Sequence, residues 1–449
     1  MTSLDCDAPA DRNRAMLLKR PYVADPIGRV WAECDVLLDG GNVRAMEPDI
    51  SLTGAIQMCD SALRMVDAEG LWLWPGLIDL HVHFREPGFT HKESIASGAM
   101  AAMAGGYTAV VCEPNTDPPL ADVGIIRTVT EKARSDTALR VFFKAAMTEA
   151  RAGKKVVDVE ALAQQGQVVA LSDDGDPVVD CGLMRQICRR AARVGLPICP
   201  HCEDTPRSRR AYEANVNLGF SPSTFQRNEA AFIERDARLA VESGVPVHFS
   251  HVSLRESLDV LEKIRKDHPG TFVTAEAAPH HLLLDDRVEL AEERRKVNPP
   301  LRSDQDRRAL CEALEGGEID VIASDHAPHT AEEKRRGASG FIGVETSLAL
   351  ILTHFVHEGR LSPLQAAERM STRPAAILGL PGGRVSPGSV ADLVLIDPAE
   401  EWDVRGEDLK SRSDNTPFEG WSVQGRAVGT IIGGALVYAR DSFKTRISD

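Results

Sequence analysis

The chain has 449 residues, 43% of them hydrophobic and 27% charged, enough for one large domain of about 250–300 residues and a smaller one. A formal net charge of −15 opposes non-specific binding to nucleic acid or an anionic membrane, both of which need a basic surface, but leaves an anionic small substrate open. No apolar run reaches the roughly 18 residues of a membrane span, the N-terminal "MTSLDCDAPADRNR" has no apolar signal core and reads as a mobile tail, and nine scattered cysteines fit reduced thiols in a cytoplasm.

Up to about residue 73 the pattern is short β-like runs, "RVWAECDVLLDGGNVRAMEP" and "LRMVDAEGLWLWPG", broken by Gly-Gly and Ala-Glu-Gly. Eight apolar, β-branched runs follow, each ending in polar residues: "GLIDLHVH", "YTAVVCEPN", "LRVFFKAAM", "GQVVALSDD", "LPICPHCED", "VPVHFSHVS", "TFVTAEAAPHH" and "DVIASDHAPH". Helical patterns lie between most of them, among them "KESIASGAMAAMAGG", "GLMRQICRRAARVG" and "ESLDVLEKIRKDHPG", and several close on Gly as helix C-termini do. Strand alternating with helix predicts parallel β-structure, and eight units predict a closed (β/α)₈ barrel with its polar strand ends at one mouth. After about Gly383 the style of the N-terminal runs returns in "GSVADLVLID" and "GRAVGTIIGGALVYAR". The expected organisation is a barrel over 74–382 inserted in a small β-sandwich built from 1–73 and 383–449.

The strand ends carry the chemistry. His81 and His83 stand two apart, so on a strand they face one side about 6–7 Å apart and can hold one cation. Asp173 or Asp174, His201, His251 and Asp325 add metal-competent groups at further strand ends. Four histidines and two aspartates exceed the needs of one tetrahedral ion. Two ions use the surplus, with zinc suited to the donor set and cobalt or manganese as substitutes. Such a centre supplies hydroxide near neutral pH and polarises a carbonyl, as hydrolysis of the C–N bond in a weakly electrophilic amide or imide requires. Cys199-Pro-His-Cys202 has redox spacing, but no thioredoxin-like pattern surrounds it and buried free thiols are the reading.

"GLIDLHVHFREPG", "PNTDPP", "SDDG", "HCED", "SHVS", "VNPPLR" and "ASDHAPH" occur in this order in dihydroorotases of the bacterial type with a bridging aspartate, within the amidohydrolase superfamily. The chain resembles that family over nearly the whole barrel and again in "SRSDNTPFEGW". The resemblance implies a (β/α)₈ barrel with a β-sandwich from both termini. It implies two divalent ions, zinc foremost, on His81, His83, Asp174, His201, His251 and Asp325, with Asp174 bridging; only the family's "DDG" selects it from Asp173 and Asp176, which are then turn and cap residues around Gly175. The implied reaction is reversible ring opening of dihydroorotate to N-carbamoyl-L-aspartate, a step of pyrimidine synthesis. In it a hydroxide shared by the ions attacks the ring amide, and Asp325 moves the proton to the departing nitrogen. Arg85 then has a task, since guanidinium grips a carboxylate through paired hydrogen bonds. Asn115, Asn298 and His329, with backbone at Ser339 and Gly340, are the other implied substrate contacts.

Hydantoinases, dihydropyrimidinases and allantoinases are the rival cyclic amide hydrolases. These usually bridge their metals with a carboxylated lysine on the fourth strand, where "VVALSDDG" has none; Lys144 lies one strand earlier and reads as a surface or strand-rim residue. Allantoinases tend to have Asn where Arg85 stands. An inactive dihydroorotase-like subunit of an aspartate transcarbamoylase complex is a second alternative, although all six ligands are present. A homo-oligomer is expected, and association with a transcarbamoylase stays open. Two departures stand out. Glu113 occupies the family's Met position, either to pair with a nearby cation or to shift the pocket's field, and "TAEEKRRGASGFIG" is short and charged, expected to order around substrate. His280 and His281 read as supporting residues at a strand end.

Overall fold

The computed structural model describes residues 14–203, 210, 228–291 and 295–448; apart from Arg14, the N-terminal stretch read as a mobile tail lies outside them. Seven short parallel strands form the central structure: β1 (Leu77–Val82), β2 (Tyr107–Cys112), β3 (Arg140–Ala146), β4 (Val168–Ser172), β5 (Val247–Phe249), β6 (Val273–Ala277) and β7 (Val321–Ile322). β1 to β4 pair in sequence order, as do β5 to β7. Isolated parallel bridges join the two sheets. Ile198 bridges Leu171 of β4 and Val247 of β5, and Val82 of β1 pairs with His326 just beyond β7. Ile78 and Leu80 of β1 and Val321 of β7 share one apolar cluster with Ala109, Val111 and Ala170. First and last strands can share such a cluster only if the sheet curls back on itself, as a TIM barrel does.

One of the eight expected strands is reduced. The run "LPICPHCED" contributes only the Ile198 bridge, because Pro197 and Pro200 remove the amide donors on which a longer ladder would depend. The intervening helices are capped as their sequences suggest. Ser94 and Ser97 form a reciprocal cap on the helix Ile95–Ala104, Asp180 caps Cys181–Val194, and Gly195 ends the latter in the left-handed region at φ +73°.

Both chain ends build the second layer pair. One sheet runs, in order, Ile447–Ser448, Leu63–Asp67, Ala15–Lys19, Asp35–Asp39 and Asn42–Glu47; the other runs Ala435–Ala439, Ser422–Ile432, Leu393–Asp403, Trp72–Pro75, Tyr22–Asp25 and Val30–Glu33. Their facing side chains, including Leu18, Val36, Val66, Leu73, Leu393, Leu395 and Ile431, make one buried core. The strand Trp72–Pro75 runs across the expected 73/74 line and leads directly into β1. No helix among the described residues is long and apolar enough to cross a membrane. The eight described cysteines are all free thiols, with Cys199 and Cys202 both buried.

Candidate metal centre

The strand tips bring the six expected ligands together. His81 Nε2 lies 3.4 Å from Asp174 Oδ1 and 3.6 Å from Asp325 Oδ1. His83 Nε2 lies 3.3 Å from Asp325 Oδ1 and 3.8 Å from Asp174 Oδ2. On the other side, His201 Nδ1 is 3.2 Å and His251 Nε2 is 3.7 Å from Asp174 Oδ1. Donors about 2.0–2.1 Å from one tetrahedral cation stand about 3.3–3.4 Å apart, which these separations approach. Two donor groups emerge, His81/His83/Asp325 and His81/Asp174/His251, all buried. Asp174 turns Oδ1 toward His201 and His251 and Oδ2 toward His83, the disposition that lets one carboxylate serve two ions.

The orphaned nitrogens test the fit. His81 Nε2 is buried with no hydrogen-bond partner among the described residues, while its Nδ1 is held by Glu276 Oε1 at 2.8 Å. With Nδ1 held by Glu276, Nε2 is the ring nitrogen left facing the cluster, as ligation requires. His83 is set the same way, its Nδ1 2.8 Å from Asn115 Oδ1, and Asn115 Nδ2 donates to Asp174 Oδ2 at 2.8 Å. His201 is reversed: Nε2 meets Glu203 Oε2 at 2.9 Å and Nδ1 faces the cluster. Backbone strain collects here too. His251 (φ +33°), Asp325 (φ +47°) and Arg85 (φ +58°) are non-glycine residues in the left-handed region, a cost that folds concentrate at functional sites. Burial works against ionisation of Asp325, but the His83 hydrogen bond and the His81 and His251 charges outweigh it and hold the carboxyl well below its usual range.

The Amidohydrolase family pattern matches residues 72–437. The chain belongs to the amidohydrolase family. Its similarity extends over nearly its full length to curated dihydroorotases. It is 36% identical to that of Clostridium acetobutylicum over 94% of this chain and 99% of the relative, and 37% identical to that of Aquifex aeolicus over the same shares. With that of Pelobacter propionicus identity is 38%, over 95% of this chain and all of the relative. Among solved structures it resembles the L-hydantoinase of Arthrobacter aurescens (TM-score 0.80, 24% identity, 94% of this chain and 96% of that one). It also resembles the dihydropyrimidinase of Brevibacillus agri (TM-score 0.80, 24% identity, 95% of each). At that identity the structures speak to the fold alone.

In this amidohydrolase Arg85 is buried beside the ligand cluster, its Nη2 3.2 Å from His329 Nε2 and its Nε donating to Pro328 O at 3.3 Å. Burial lowers the guanidinium to about 10, still charged at neutral pH, and burial with the nearby Arg85 pushes His329 down to about 3. His329 is therefore neutral and accepts from Arg85. Asn115 is the strut between His83 and Asp174 described above. Asn298 lies exposed in the segment whose Lys296 carbonyl accepts from Gly340 N at 3.0 Å. Gly340 sits at φ +137° with Ala327 2.7 Å from where a Cβ would be, so only glycine fits. Ser339 is half-buried next to it.

Three sequence expectations change. Lys144 is no rim residue: it is wholly buried and ion-paired with Glu113, itself wholly buried. His280 and His281 lie not on a strand end but in the short helix Pro279–Leu283, and His280 Nε2 reaches within 3.9 Å of Asp325 Oδ2. The proline two residues past β6 was the available signal, since proline favours the first helical position. The charged segment after His329 forms the helix Ala331–Arg335, capped reciprocally by Thr330 and Glu333. No sequence pattern points to Glu276 or Glu203. A lone glutamate inside the apolar run of β6 was the only trace of the first.

Proposed function

We propose that this amidohydrolase is a dihydroorotase, interconverting dihydroorotate and N-carbamoyl-L-aspartate. The observation that carries the reading is the convergence of six metal-competent side chains from five positions around the barrel with a buried, charged Arg85 at their edge. His81, His83, Asp174, His201, His251 and Asp325 would hold two divalent ions, zinc foremost. When bound, such ions supply a water activated near neutral pH and a Lewis acid for the amide carbonyl.

The chain's own groups account for the remaining requirements. Arg85 is placed to bind the substrate carboxylate, and its bond to neutral His329 fixes the guanidinium plane so that its remaining N–H groups can face outward. Asn115 positions Asp174, and the 296–298 and 338–340 segments line one side. Asp325 takes a proton from the attacking water and delivers it to the ring nitrogen that leaves; in cyclisation it works in reverse. Its weak proton affinity suits a group that must pass the proton on. The absence of a lysine on β4 and the tying of Lys144 to Glu113 argue against the lysine-bridged hydantoinase arrangement.

The test is an assay of zinc-loaded protein with dihydroorotate, N-carbamoyl-L-aspartate, hydantoin, dihydrouracil and allantoin. Turnover in both directions with the first two, and little with the others, is expected. Faster opening of hydantoin or dihydrouracil than of dihydroorotate would overturn the assignment.

A further inference from the structure

Beneath the ligand cluster lies a pair of opposite charges that the proposed reaction does not use. Glu113 follows β2 directly, its backbone N–H donating to Val82 O of β1 at 2.9 Å. Lys144 stands within β3. Both side chains are 0% exposed and bonded to each other. Glu113 Oε1 is also 3.7 Å from His81 Nε2, the ligand nitrogen that faces the cluster. Glu113 Oε2 is buried with no hydrogen-bond partner among the described residues. Lys144 donates to Glu113 and makes no hydrogen bond to the ligand side chains.

Burying two ions is costly, and replacing such a pair by apolar side chains of similar volume is often neutral or stabilising. Packing alone therefore gives little reason for this pair. Its orientation gives one. The carboxylate end is within 4 Å of a ligand nitrogen, while the ammonium is bound to the carboxylate. A cation in the cluster would meet the negative end of a nearly neutral pair, in surroundings where charges are poorly screened. We infer that Glu113 and Lys144 form an oriented charge pair that sets how tightly the adjoining cluster holds divalent metal. Glu113 strengthens binding and Lys144 restrains it. The residues act through His81 and the local field, as positioning groups rather than ligands.

The inference rests on the reading that the cluster holds divalent ions. Zinc affinity and stoichiometry of the full chain, by competition with a chromophoric chelator and by elemental analysis, separate the two. If the wild-type chain takes up no zinc, the metal reading fails. If it takes up zinc but the variants below bind as it does, this inference alone fails. Glu113→Gln removes the negative charge and should weaken zinc binding by about 10-fold or more, within the range known for groups that support ligands. Lys144→Met removes the positive charge and should tighten it. Groups that merely hold the fold would lower affinity in both variants, so shifts in the same direction would overturn the inference. Should either single variant fail to fold, the exchanged pair Glu113→Lys/Lys144→Glu decides. It keeps an internal ion pair but turns its positive end to His81, and should bind zinc at least about 10-fold more weakly than wild type. Wild-type affinity in a folded exchanged protein would sink the proposal.

Discussion

In the proposed reaction Asp325 and Arg85 divide the labour at the barrel mouth, each keeping its charge against the same burial. Asp325 keeps its negative charge because His83 bonds to it and His81 and His251 lie close by, and Arg85 keeps its positive charge with Asp174 and Asp325 nearby. Asp325→Asn keeps the shape and one oxygen donor while removing the proton acceptor. Turnover should fall by at least about 100-fold in both directions, the lower bound for losing a general acid–base, with zinc retained in elemental analysis. Near-normal turnover would remove Asp325 from the proton path. Arg85→Met keeps the aliphatic stem and removes the clamp. Two charge-assisted hydrogen bonds at about 1.5–3 kcal/mol each imply a KM for dihydroorotate raised by at least about 10-fold, with zinc content unchanged. An unaltered KM would show that the carboxylate binds elsewhere.

At the scale of elements, the site depends on segments that touch one another rather than on any single strand. Lys334, in the helix Ala331–Arg335, has no acidic partner among the described residues; its ammonium donates to Lys296 O at 3.0 Å, Ala338 O at 3.1 Å and Gly340 O at 2.9 Å. Asn415 Nδ2 also donates to Gly340 O at 2.8 Å, and Ser413 Oγ to His329 O at 2.6 Å. One buried cation thus clasps the segment before Asn298 to the turn holding Ser339 and Gly340. Lys334→Met would leave three carbonyls without that donor, at about 1–3 kcal/mol for each that stays buried. Steady-state kinetics should show KM raised several-fold and kcat little changed, because the ligand cluster is untouched. A loss confined to kcat would refute the clasp.

The same scale separates what was legible in the sequence from what was not. Strand ends announced themselves because apolar runs closing on His or Asp are local patterns, and β1, β4, β5 and β7 deliver their ligands where those patterns stop. The fifth position failed as a strand for a local reason too, the prolines on either side of Ile198 and Cys199. What could not be read were partnerships across the chain. Lys144 alone in a strand run looks like a rim residue; only the fold shows Glu113, 31 positions earlier, just past the end of the neighbouring strand. Glu276 holding His81 spans 195 positions. The placement of His280 beside Asp325 follows from a helix turn that the proline hinted at but the histidine spacing did not.

The whole molecule is held as one by contacts from the sandwich into the barrel. Arg140, the first residue of β3, makes a two-pronged pair with Asp392, whose Oδ1 also accepts from Gly433 N at 2.8 Å. Thr430 Oγ1 donates to Met103 O at 2.7 Å. Nearer the site, Glu345 accepts from Lys410 N at 2.6 Å and Ser411 N at 3.1 Å, tying the barrel to the stretch that carries Ser413 and Asn415. Burial raises the Glu345 carboxyl to about 7, against the pull of those N–H groups and of Lys410. The folded state therefore holds this proton more tightly than the unfolded chain, whose glutamate titrates near 4.5. The stabilisation is complete below about pH 4.5 and is lost as pH rises through about 7. Glu345→Gln keeps a neutral side chain at every pH and removes that proton step. In thermal unfolding, the wild-type Tm should drop more than the variant's between pH 5 and pH 8. Parallel drops would show that Glu345 does not carry this part of the pH response and that the link between barrel and C-terminal stretch is held by its other bonds.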